Sequence, residues 1–410
     1  MALIVQKFGG TSVANIERIK EVAKIVAKER NKGNQVIVVV SAMSGVTAQL
    51  IDYVNSVSTL TDNNALAEYD AVVSSGELIT SGLLALQLQS IGISARSFSG
   101  WQAGIITDAS HSKARIEKIN TNFLTDILNN SSVPVISGFQ GVSLENRVST
   151  MGRGGSDTSA VAIAAAMNAE RCDIYTDVTG IFTADPRIVK KAKKLHRVGY
   201  EEILEMASLG AKVLQIRAVE MAYKHNVSVQ VLSSFEDEEG SLLVKDEEIM
   251  EKRLITAVAH SDDDARITIS NIPNEPGVIA NILKPLANAS INLDMIIQNI
   301  SYDGEHANVT FTLKEIDMDR AFAILKDEKN KGNIKFKDIN FNKDVAKLSV
   351  IGMAMKEHSG VAQKMFQTLA DNDINILAIT TSEIKISVLI EKNHMKNAIN
   401  LLHDAFEIDK

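Results

Sequence analysis

The sequence has a single cysteine, no excess of basic residues and no long apolar run, and each shortage excludes a class of protein. The lone thiol, Cys172, excludes an internal disulfide framework and a thiolate metal cluster, and it fits a reducing compartment. Lysine and arginine total 43 against 51 acidic residues, which gives a net charge of −8. Nucleic acids and anionic membranes attract basic surfaces, so neither is an expected partner.

Membrane insertion and secretion are not expected either. No apolar run approaches the ~18 residues of a membrane span. The N-terminus turns polar at Gln6 and Lys7, which leaves no room for the apolar core of a signal peptide. We therefore expect a soluble cytoplasmic protein, and 410 residues at 45% hydrophobic composition predict two or three domains.

Residues 1–235 alternate between strand-like and helix-like patterns. Val36 to Val40 and Val133 to Ile136 are typical of short buried strands, whereas Tyr200 to Tyr223 has the periodicity of one helix. This alternation predicts an α/β domain, with a largely parallel sheet and helices on both of its faces. The acidic stretch 236–263 follows, and we interpret it as a solvated linker at a domain boundary.

The C-terminal part contains an internal repeat with an offset of 83 residues, which aligns Gly277 with Gly360. Both copies, at 264–342 and 343–410, follow the order of a βαββαβ unit, but the second copy ends before its closing strand. Leu254 to Ala259 lies before the first copy and has no partner of its own. We predict that this segment supplies the missing strand.

Two glycine-rich stretches, KFGGTS at 7–12 and GRGGSDT at 152–158, occur where strands give way to helices. Glycine lets backbone N–H groups approach an anion, and the N-terminus of a helix attracts one. One Gly-Gly pair is most often only a turn. Two such loops, each with a cation (Lys7 and Arg153), favour a phosphorylated ligand. Since neither G-x-x-x-x-G-K-[ST] nor G-x-G-x-x-G occurs, a different set of loops must hold any nucleotide.

Six motifs together resemble one family. KFGGTS, VSAMSGVT, SSGEL, GFQG, GRGGSDTSA and YTDVTGIFTADPR, in this order and spacing, closely resemble the aspartokinases of the amino acid kinase family. The repeat resembles the paired ACT domains of single-function aspartokinases. The resemblance implies a catalytic amino acid kinase domain at 1–235, a linker with one strand at 236–263, and ACT domains at 264–342 and 343–410.

The resemblance implies transfer of the γ-phosphoryl group of ATP to the β-carboxylate of L-aspartate, giving 4-phospho-L-aspartate and ADP. This is the first step of lysine, threonine and methionine biosynthesis. A carboxylate with a pKa of ~4 is ionised at pH 7, so no general base is needed. Catalysis would consist of positioning and charge neutralisation, with ATP and Mg²⁺ as cofactors. The eight histidines show no ligand spacing, so we expect no metal site built from side chains alone.

By the match of motifs, Lys7 would neutralise the transferring phosphoryl group and Asp157 would orient Lys7. Arg153 would bind the substrate carboxylate through its bidentate fork, and Glu77 would bind the substrate ammonium. The implied ATP-binding residues are Lys7, Phe8, Gly9, Gly10, Ser41, Ser156, Tyr175, Thr176, Asp177, Phe182, Asp185, Pro186, Arg187 and Lys212. The implied aspartate-binding residues are Thr47, Glu77, Arg153, Gly154, Gly155 and Ser156.

Three of these residues also have plain structural interpretations. Glu77 is also consistent with a first-turn helix charge, worth under ~1 kcal/mol. Asp157 is also consistent with a helix N-cap, and Lys212 with a solvated side chain on a helix.

ACT domains commonly bind amino acids between paired copies, and the resemblance implies lysine and/or threonine as feedback effectors. It also implies a homodimer or higher oligomer formed through these domains. The effector-binding residues it implies are Asn274, Pro276, Gly277, Val278, Ile279, Asn292, Asp294 and Gln298 in the first copy, and Ser359, Gly360, Val361, Asn375, Ile376, Thr381, Ser382 and Glu383 in the second. A dimerisation module without a used effector site is the alternative.

Two other functions compete with aspartate kinase. One is another amino acid kinase, such as a kinase for glutamate or a nucleoside monophosphate, but Thr47, Glu77 and Arg153 in their contexts argue against it. A catalytically silent amino-acid sensor is disfavoured by the intact Lys7 and Asp157. No dinucleotide-binding unit follows the repeat, so a fused homoserine dehydrogenase is not expected.

Overall fold

The structure is a computed structural model that describes residues 1–209, 214–249 and 253–409. These residues form two compact units, which are described separately. The first unit comprises residues 1–181, 194–208 and 214–249, and the second comprises residues 182–193, 209 and 253–409. The predicted linker 236–263 therefore lies partly in each unit and partly outside the described residues.

The first unit contains most of the predicted α/β alternation. Its helices are α1 (Ile16–Asn31), α2 (Val46–Val57), α3 (Asn63–Val73), α4 (Ser75–Ser90), α5 (Asn122–Asn129), α6 (Gly155–Ala166), α7 (Tyr200–Ser208) and α8 (Ile216–His225). Its strands are β1 (Leu3–Phe8), β2 (Gln35–Val40), β3 (Ala95–Phe98), β4 (Ile105–Thr107), β5 (Ile116–Ile119), β6 (Val133–Ser137), β7 (Gln140–Ser143), β8 (Val148–Thr150) and β9 (Arg171–Thr176), then β11 (Lys194–Leu195), β12 (Arg197–Gly199), β13 (Val229–Ser233) and β14 (Ser241–Val244). The short strand β10 (Ile181–Phe182) has its first residue in this unit and its second in the other.

The main sheet has eight strands in the order β12-β14-β13-β9-β1-β2-β6-β3. Its central strands pair in parallel, and β13 and β14 form an antiparallel pair. Val36 to Val40 are fully buried, as expected for a parallel strand covered on both faces. Phe8 packs with α1 and α4 on one face, and α6 packs on the other face. The predicted fold class is confirmed.

Two features of this unit differ from the sequence interpretation. A second sheet, β5-β4-β7-β8, was not predicted, because its strands are only three or four residues long. The single helix predicted for 200–223 was wrong, since α7 ends at Ser208 and α8 begins at Ile216.

Helices α3 and α4 are separated only by Ser74. Residues Asn63–Ser90 are long and apolar enough, by length and composition, to cross a membrane, which comes closer to a span than we expected. Half of the most apolar 18-residue stretch of these helices is buried inside the unit, and Leu84 and Leu88 belong to the apolar core that packs on the main sheet. Core helices of folded domains have the same composition, and we assign these two helices to the core.

The second unit contains the two repeat copies. The first copy has β16 (Asp264–Pro273), α9 (Val278–Asn288), β17 (Leu293–Ile300), β18 (His306–Lys314), α10 (Met318–Asn330) and β19 (Asp338–Asn342), and its sheet order is β17-β18-β16-β19. The second copy has β20 (Val345–Ile351), α11 (Val361–Ala370), β21 (Ala378–Thr381), β22 (Lys385–Glu391) and α12 (Met395–Ala405). Each copy has its own apolar core between sheet and helices.

A strand from outside the second copy completes its sheet. Ala257–Ser261 forms β15, and the sheet order is β15-β20-β22-β21. β15 pairs antiparallel with β20, with Val258 opposite Val350. The donor strand therefore starts three residues later than the segment Leu254 to Ala259 that the sequence indicated.

Candidate active site

A cleft of about 280 Å³ lies at the carboxyl ends of β1 and β2 in the first unit. In open α/β sheets, ligands bind at this edge. Ten of the implied catalytic, ATP-binding and aspartate-binding residues line the cleft, namely Lys7, Gly10, Ser41, Thr47, Glu77, Arg153, Gly154, Gly155, Ser156 and Asp157. The structure therefore brings together residues that span 150 positions of the sequence.

Lys7 and Asp157 form an ion pair inside this cleft. Lys7 is the second-last residue of β1, and Asp157 lies in the first turn of α6. Both side chains are 10% exposed, so the pair is nearly dehydrated. This contact holds the Lys7 ammonium in one place, where it can attract a phosphoryl group.

The N-terminus of α6 faces the same cleft and depends on glycine. Gly154, the N-cap, has φ of +72°, and a Cβ there would lie 1.8 Å from Cγ of Gln215. At Gly138, in the turn before β7, a Cβ would lie 2.8 Å from Cβ of Ser156. These close approaches leave the first N–H groups of the helix near the cleft, where the helix dipole favours an anion.

Glu77 lies in the first turn of α4 but is only 3% exposed. Its Oε1 accepts a hydrogen bond from the N–H of Ala42 at 3.0 Å, and its buried Oε2 has no hydrogen-bond partner among the described residues. Burial raises the pKa of Glu77 to about 7, although the Ala42 N–H acts in the opposite direction. The exposed helix-dipole interpretation therefore does not apply, and the carboxylate suits a cationic ligand.

Arg153 follows Gly152 in the loop before α6 and is exposed. It makes no ion pair with any residue that the structure describes. Because Lys7 is already paired, the Arg153 guanidinium is the cation of the cleft that is most available to an incoming carboxylate.

Two residues of the first glycine loop serve the fold more than a ligand. The side chain of Phe8 is fully buried and stacks on Tyr175, with ring centroids 4.7 Å apart, so it does not reach the cleft. The N–H of Gly9 donates to the carbonyl oxygen of Tyr175 at 3.2 Å, and it is therefore not free to cradle a phosphate. Gly10 lines the cleft, and a Cβ there would be 3.1 Å from the carbonyl oxygen of Ala42.

The other residues implied for ATP that the structure describes are not among the residues that line this cleft. Tyr175 is buried and burial raises its pKa, whereas Thr176 Oγ1 donates to exposed Asp177 at 3.1 Å. Phe182, Asp185, Pro186 and Arg187 belong to the second unit, where Arg187 pairs with Asp185 at 2.7 Å. Lys212 lies outside the described residues. The roles of these residues stay predictions.

Sequence reasoning missed several lining residues, namely Ala42, Met43, Ser44, Gly45, Phe139 and Gly152. Each lies inside a motif that carried the family resemblance. Glycine was the available signal, because Gly45 (φ +83°) caps α2 and Gly152 (φ +73°) starts the loop before α6.

A second cavity, of about 230 Å³, lies in the second repeat copy. Five residues implied for the effector line it, together with Met355, His358, Ala362 and Ile386: these are Gly360, Val361, Thr381, Ser382 and Glu383. Gly360 has φ of +97° and is the N-cap of α11. Ser359, Asn375 and Ile376 are not part of this lining.

The corresponding residues of the first copy are more dispersed. Gly277 (φ +90°) caps α9 as Gly360 caps α11, and Val278 and Ile279 pack on the core of this copy. The Asn274 side chain donates to the carbonyl oxygen of Gly304, which makes it a turn residue, and Pro276 adjoins Gly277. Asp294 forms an ion pair with Lys347, whereas Asn292 and Gln298 are exposed.

Comparison with known sequences is consistent with this arrangement. The sequence profile of the amino acid kinase family matches residues 2–233, and the ACT domain profile matches residues 267–328 and 348–406. Aspartate kinase of Pseudomonas fluorescens is 47% identical over 100% of this chain and 98% of that protein. Aspartokinase 2 of Bacillus subtilis is 42% identical over 100% of this chain and 99% of that protein.

Solved structures share the fold. E. coli aspartokinase III in complex with aspartate and ADP superposes with a TM-score of 0.79 at 24% identity, and covers 98% of this chain and 99% of its own. The same enzyme in complex with lysine and aspartate gives a TM-score of 0.77. Aspartate kinase from Synechocystis is 36% identical, with a TM-score of 0.54 over 99% of this chain and 70% of its own.

Proposed function

The chain belongs to the amino acid kinase family, as an aspartokinase, and from that premise we propose that it transfers the γ-phosphoryl group of ATP to the β-carboxylate of L-aspartate, at the cleft around Lys7. The products are 4-phospho-L-aspartate and ADP, which makes the reaction the first step of lysine, threonine and methionine biosynthesis in a cytoplasmic protein.

The observation that carries this proposal is the pairing of opposite charges in one cleft of about 280 Å³. Glu77 offers a buried carboxylate oxygen without a hydrogen-bond partner among the described residues, and exposed Arg153 offers a guanidinium. An amino acid carries an ammonium, which the Glu77 carboxylate can bind, and a carboxylate, which the Arg153 guanidinium can bind. The second carboxylate of aspartate can then face Lys7 and the N-terminus of α6.

The chemistry needs positioning and charge neutralisation, because the attacking carboxylate is already ionised. Asp157 keeps Lys7 in place, and Lys7 stabilises the negative charge that develops on the transferring group. Removing one hydrogen-bond donor that stabilises transition-state charge costs about 10²- to 10³-fold in kcat in an acyl-transfer enzyme, and we expect a loss of this order here.

The proposal includes Mg²⁺ bound with ATP. The cationic charges of Lys7 and Arg153 are offset by Asp157 and Glu77, so the side chains of the cleft leave most of a triphosphate's charge unneutralised. This donor set fits a divalent cation held mainly by the phosphates, which would supply that neutralisation.

The ACT domains are proposed to bind lysine and/or threonine as feedback inhibitors and to join copies of the chain into a homodimer or higher oligomer. For this chain, the proposal rests on the cavity in the second copy. There, the α11 N-terminus at Gly360 suits a carboxylate, and the hydroxyl groups of Thr381 and Ser382 line the same cavity and can accept hydrogen bonds from an ammonium.

One assay tests both parts. The protein is incubated with ATP, Mg²⁺ and L-aspartate, the acyl phosphate is trapped with hydroxylamine, and lysine and threonine are added singly and together. We expect hydroxamate with aspartate and not with glutamate, and less of it when an effector is present. Purified protein that forms no hydroxamate from aspartate would refute the kinase, whereas an active enzyme that neither effector inhibits would refute only the regulation.

A further inference from the structure

Asp70 carries a buried carboxylate that the proposed reaction does not use. It lies on α3, is fully buried, and accepts hydrogen bonds from three residues. The Ser112 N–H donates to Oδ1 at 3.1 Å and to Oδ2 at 3.0 Å, and His111 Nδ1 lies 2.8 Å from Oδ2. The hydroxyl of Thr150 donates to Oδ1. A carboxylate only accepts, so His111 donates from Nδ1.

The position of this carboxylate is costly and therefore calls for an explanation. Burying an ionised carboxylate is unfavourable by several kcal/mol unless hydrogen bonds compensate it, and an apolar residue would fill the same space without that cost. The bonds of Asp70 join three separate segments, namely α3, the loop between β4 and β5, and the end of β8. The carboxylate therefore fixes these segments relative to one another.

These segments lead directly to the loop that carries Arg153. Thr150 is the last residue of β8 and stands two positions before Gly152. Ser112 has a left-handed backbone (φ +65°), which is unusual for serine, and a Cβ on Gly152 would lie 3.0 Å from the Ser112 carbonyl oxygen. The Asp70 carboxylate thus holds the residue against which Gly152 packs.

A second set of bonds fixes Met151, between Thr150 and Gly152. Its N–H donates to the carbonyl oxygen of Phe139 at 2.9 Å, and its carbonyl oxygen accepts from Nη1 of Arg217 at 2.7 Å. Nη2 of Arg217 donates to the carbonyl oxygen of Ala114, whose N–H in turn donates to the Thr150 carbonyl oxygen. The base of the loop is therefore held from several directions, while Arg153 itself is exposed.

We propose that Asp70, with His111, Ser112 and Thr150, is a positioning unit that sets the orientation of the Gly152–Arg153 loop for the amino-acid substrate. This inference rests on the proposed function, because it assigns Arg153 to the substrate carboxylate. Loosening the unit moves Arg153 more than Lys7, since Lys7 lies on β1 and is paired with Asp157. The unit therefore acts on the affinity for aspartate more than on that for ATP.

Thr150→Val tests the unit with the smallest change, because it removes the hydroxyl and keeps the shape. We expect the KM for aspartate to rise about five- to tenfold, which is less than the full loss of a hydrogen bond to a charged group, because the bonds from His111 and Ser112 to Asp70 remain. The KM for ATP changes less than about twofold. Thr150→Ser, which restores the hydroxyl, returns the KM for aspartate close to that of the wild type. Asp70→Asn raises the KM for aspartate further. If the Asp70→Asn protein does not fold, the two Thr150 variants alone test the positioning role.

Glu68→Gln is the matched control on the same helix. Glu68 is 73% exposed and pairs with Arg147, so its loss should leave both KM values unchanged. An unchanged KM for aspartate in Thr150→Val, or an equal rise in both KM values that Thr150→Ser does not correct, would overturn the positioning role while the wild type remains active. A wild type that does not phosphorylate aspartate would overturn the proposed function and this inference with it.

Discussion

The Lys7 ammonium and the Asp157 carboxylate form an ion pair across the space between β1 and α6, and each side chain is only 10% exposed. Taking one partner away from such a buried pair leaves an uncompensated charge, which typically costs about 3–5 kcal/mol. Activity and stability are therefore coupled at this contact, and experiments on Lys7 need to separate them.

Lys7→Met is expected to lower kcat by about 10²-fold or more, because it removes the cation that we propose stabilises the transferring phosphoryl group. It also lowers the free energy of unfolding by about 3 kcal/mol, because Asp157 remains buried without a partner. The double variant Lys7→Met/Asp157→Asn should recover much of the stability and none of the activity. Steady-state kinetics and urea unfolding measure the two effects.

Lys20→Met serves as the control for these variants. Lys20 pairs with Glu17 on the surface of α1, where its side chain is 45% exposed, and such pairs contribute about 0–1 kcal/mol. Recovery of kcat in the double variant would show that Lys7 acts only on the fold.

The KM for aspartate is expected to rise as the pH falls below about 7. Burial raises the pKa of Glu77 to about 7, so the carboxylate that we propose binds the substrate ammonium becomes protonated in this range. Glu77→Gln should have a high KM for aspartate that no longer depends on pH between 6 and 8. Glu17 is exposed, so Glu17→Gln is the control and should keep the wild-type pH profile of the KM for aspartate. If Glu77→Gln also kept the wild-type profile, Glu77 would be excluded as the ammonium ligand.

The raised pKa of Glu77 also predicts how the stability of the protein depends on pH. The folded pKa of Glu77, about 7, lies above its ordinary value of 4.5, so the native state holds the proton more tightly than the unfolded state does. Its contribution to stability is fully present below about pH 4.5 and is lost as the pH rises through 7, by an amount of about 3 kcal/mol. Glu77→Gln should therefore be more stable than the wild type at pH 8, with the difference shrinking towards pH 5. Urea midpoints at the two pH values check this, and a difference that grows towards pH 5 would contradict it.

The sequence predicts this fold where the local pattern and the tertiary environment agree. Val36 to Val40 is apolar at every position, and the structure places it in the middle of the parallel sheet. The repeat predicts a missing strand, and β15 occupies that position beside β20. Buried apolar residues stand on both sides of the break, with Leu209 after α7 and Leu214 before α8, so apolar periodicity merged the two helices into one.

The candidate site is predicted less completely than the fold, and single residues show why. Lys7 and Arg153 stand out because a cation inside a glycine loop has little use in packing. Asp70 resembles any helix-surface acid in the sequence, since its partners Ser112 and Thr150 are about 40 and 80 positions away and only the folded chain brings them together. Phe8 shows the opposite case, because its place in a ligand motif does not reveal that its ring stacks on Tyr175.

Alanine substitutions at two glycines distinguish a loss of effector binding from a loss of stability alone. Gly360 (φ +97°) caps α11 at the cavity of the second repeat copy, and Gly332 (φ +76°) follows α10 in the first copy; an added Cβ would meet no atom within 4 Å at either position. Alanine in a left-handed conformation costs about 1 kcal/mol, so both Gly360→Ala and Gly332→Ala should lower the free energy of unfolding by this amount. Only Gly360→Ala disturbs the N–H groups that we propose bind an effector carboxylate, so it alone should weaken inhibition by lysine or threonine, by about fivefold. Inhibition constants from the hydroxamate assay, together with urea unfolding, measure both effects. Equal changes of inhibition in the two variants would mean that the cavity at Gly360 does not bind the effector.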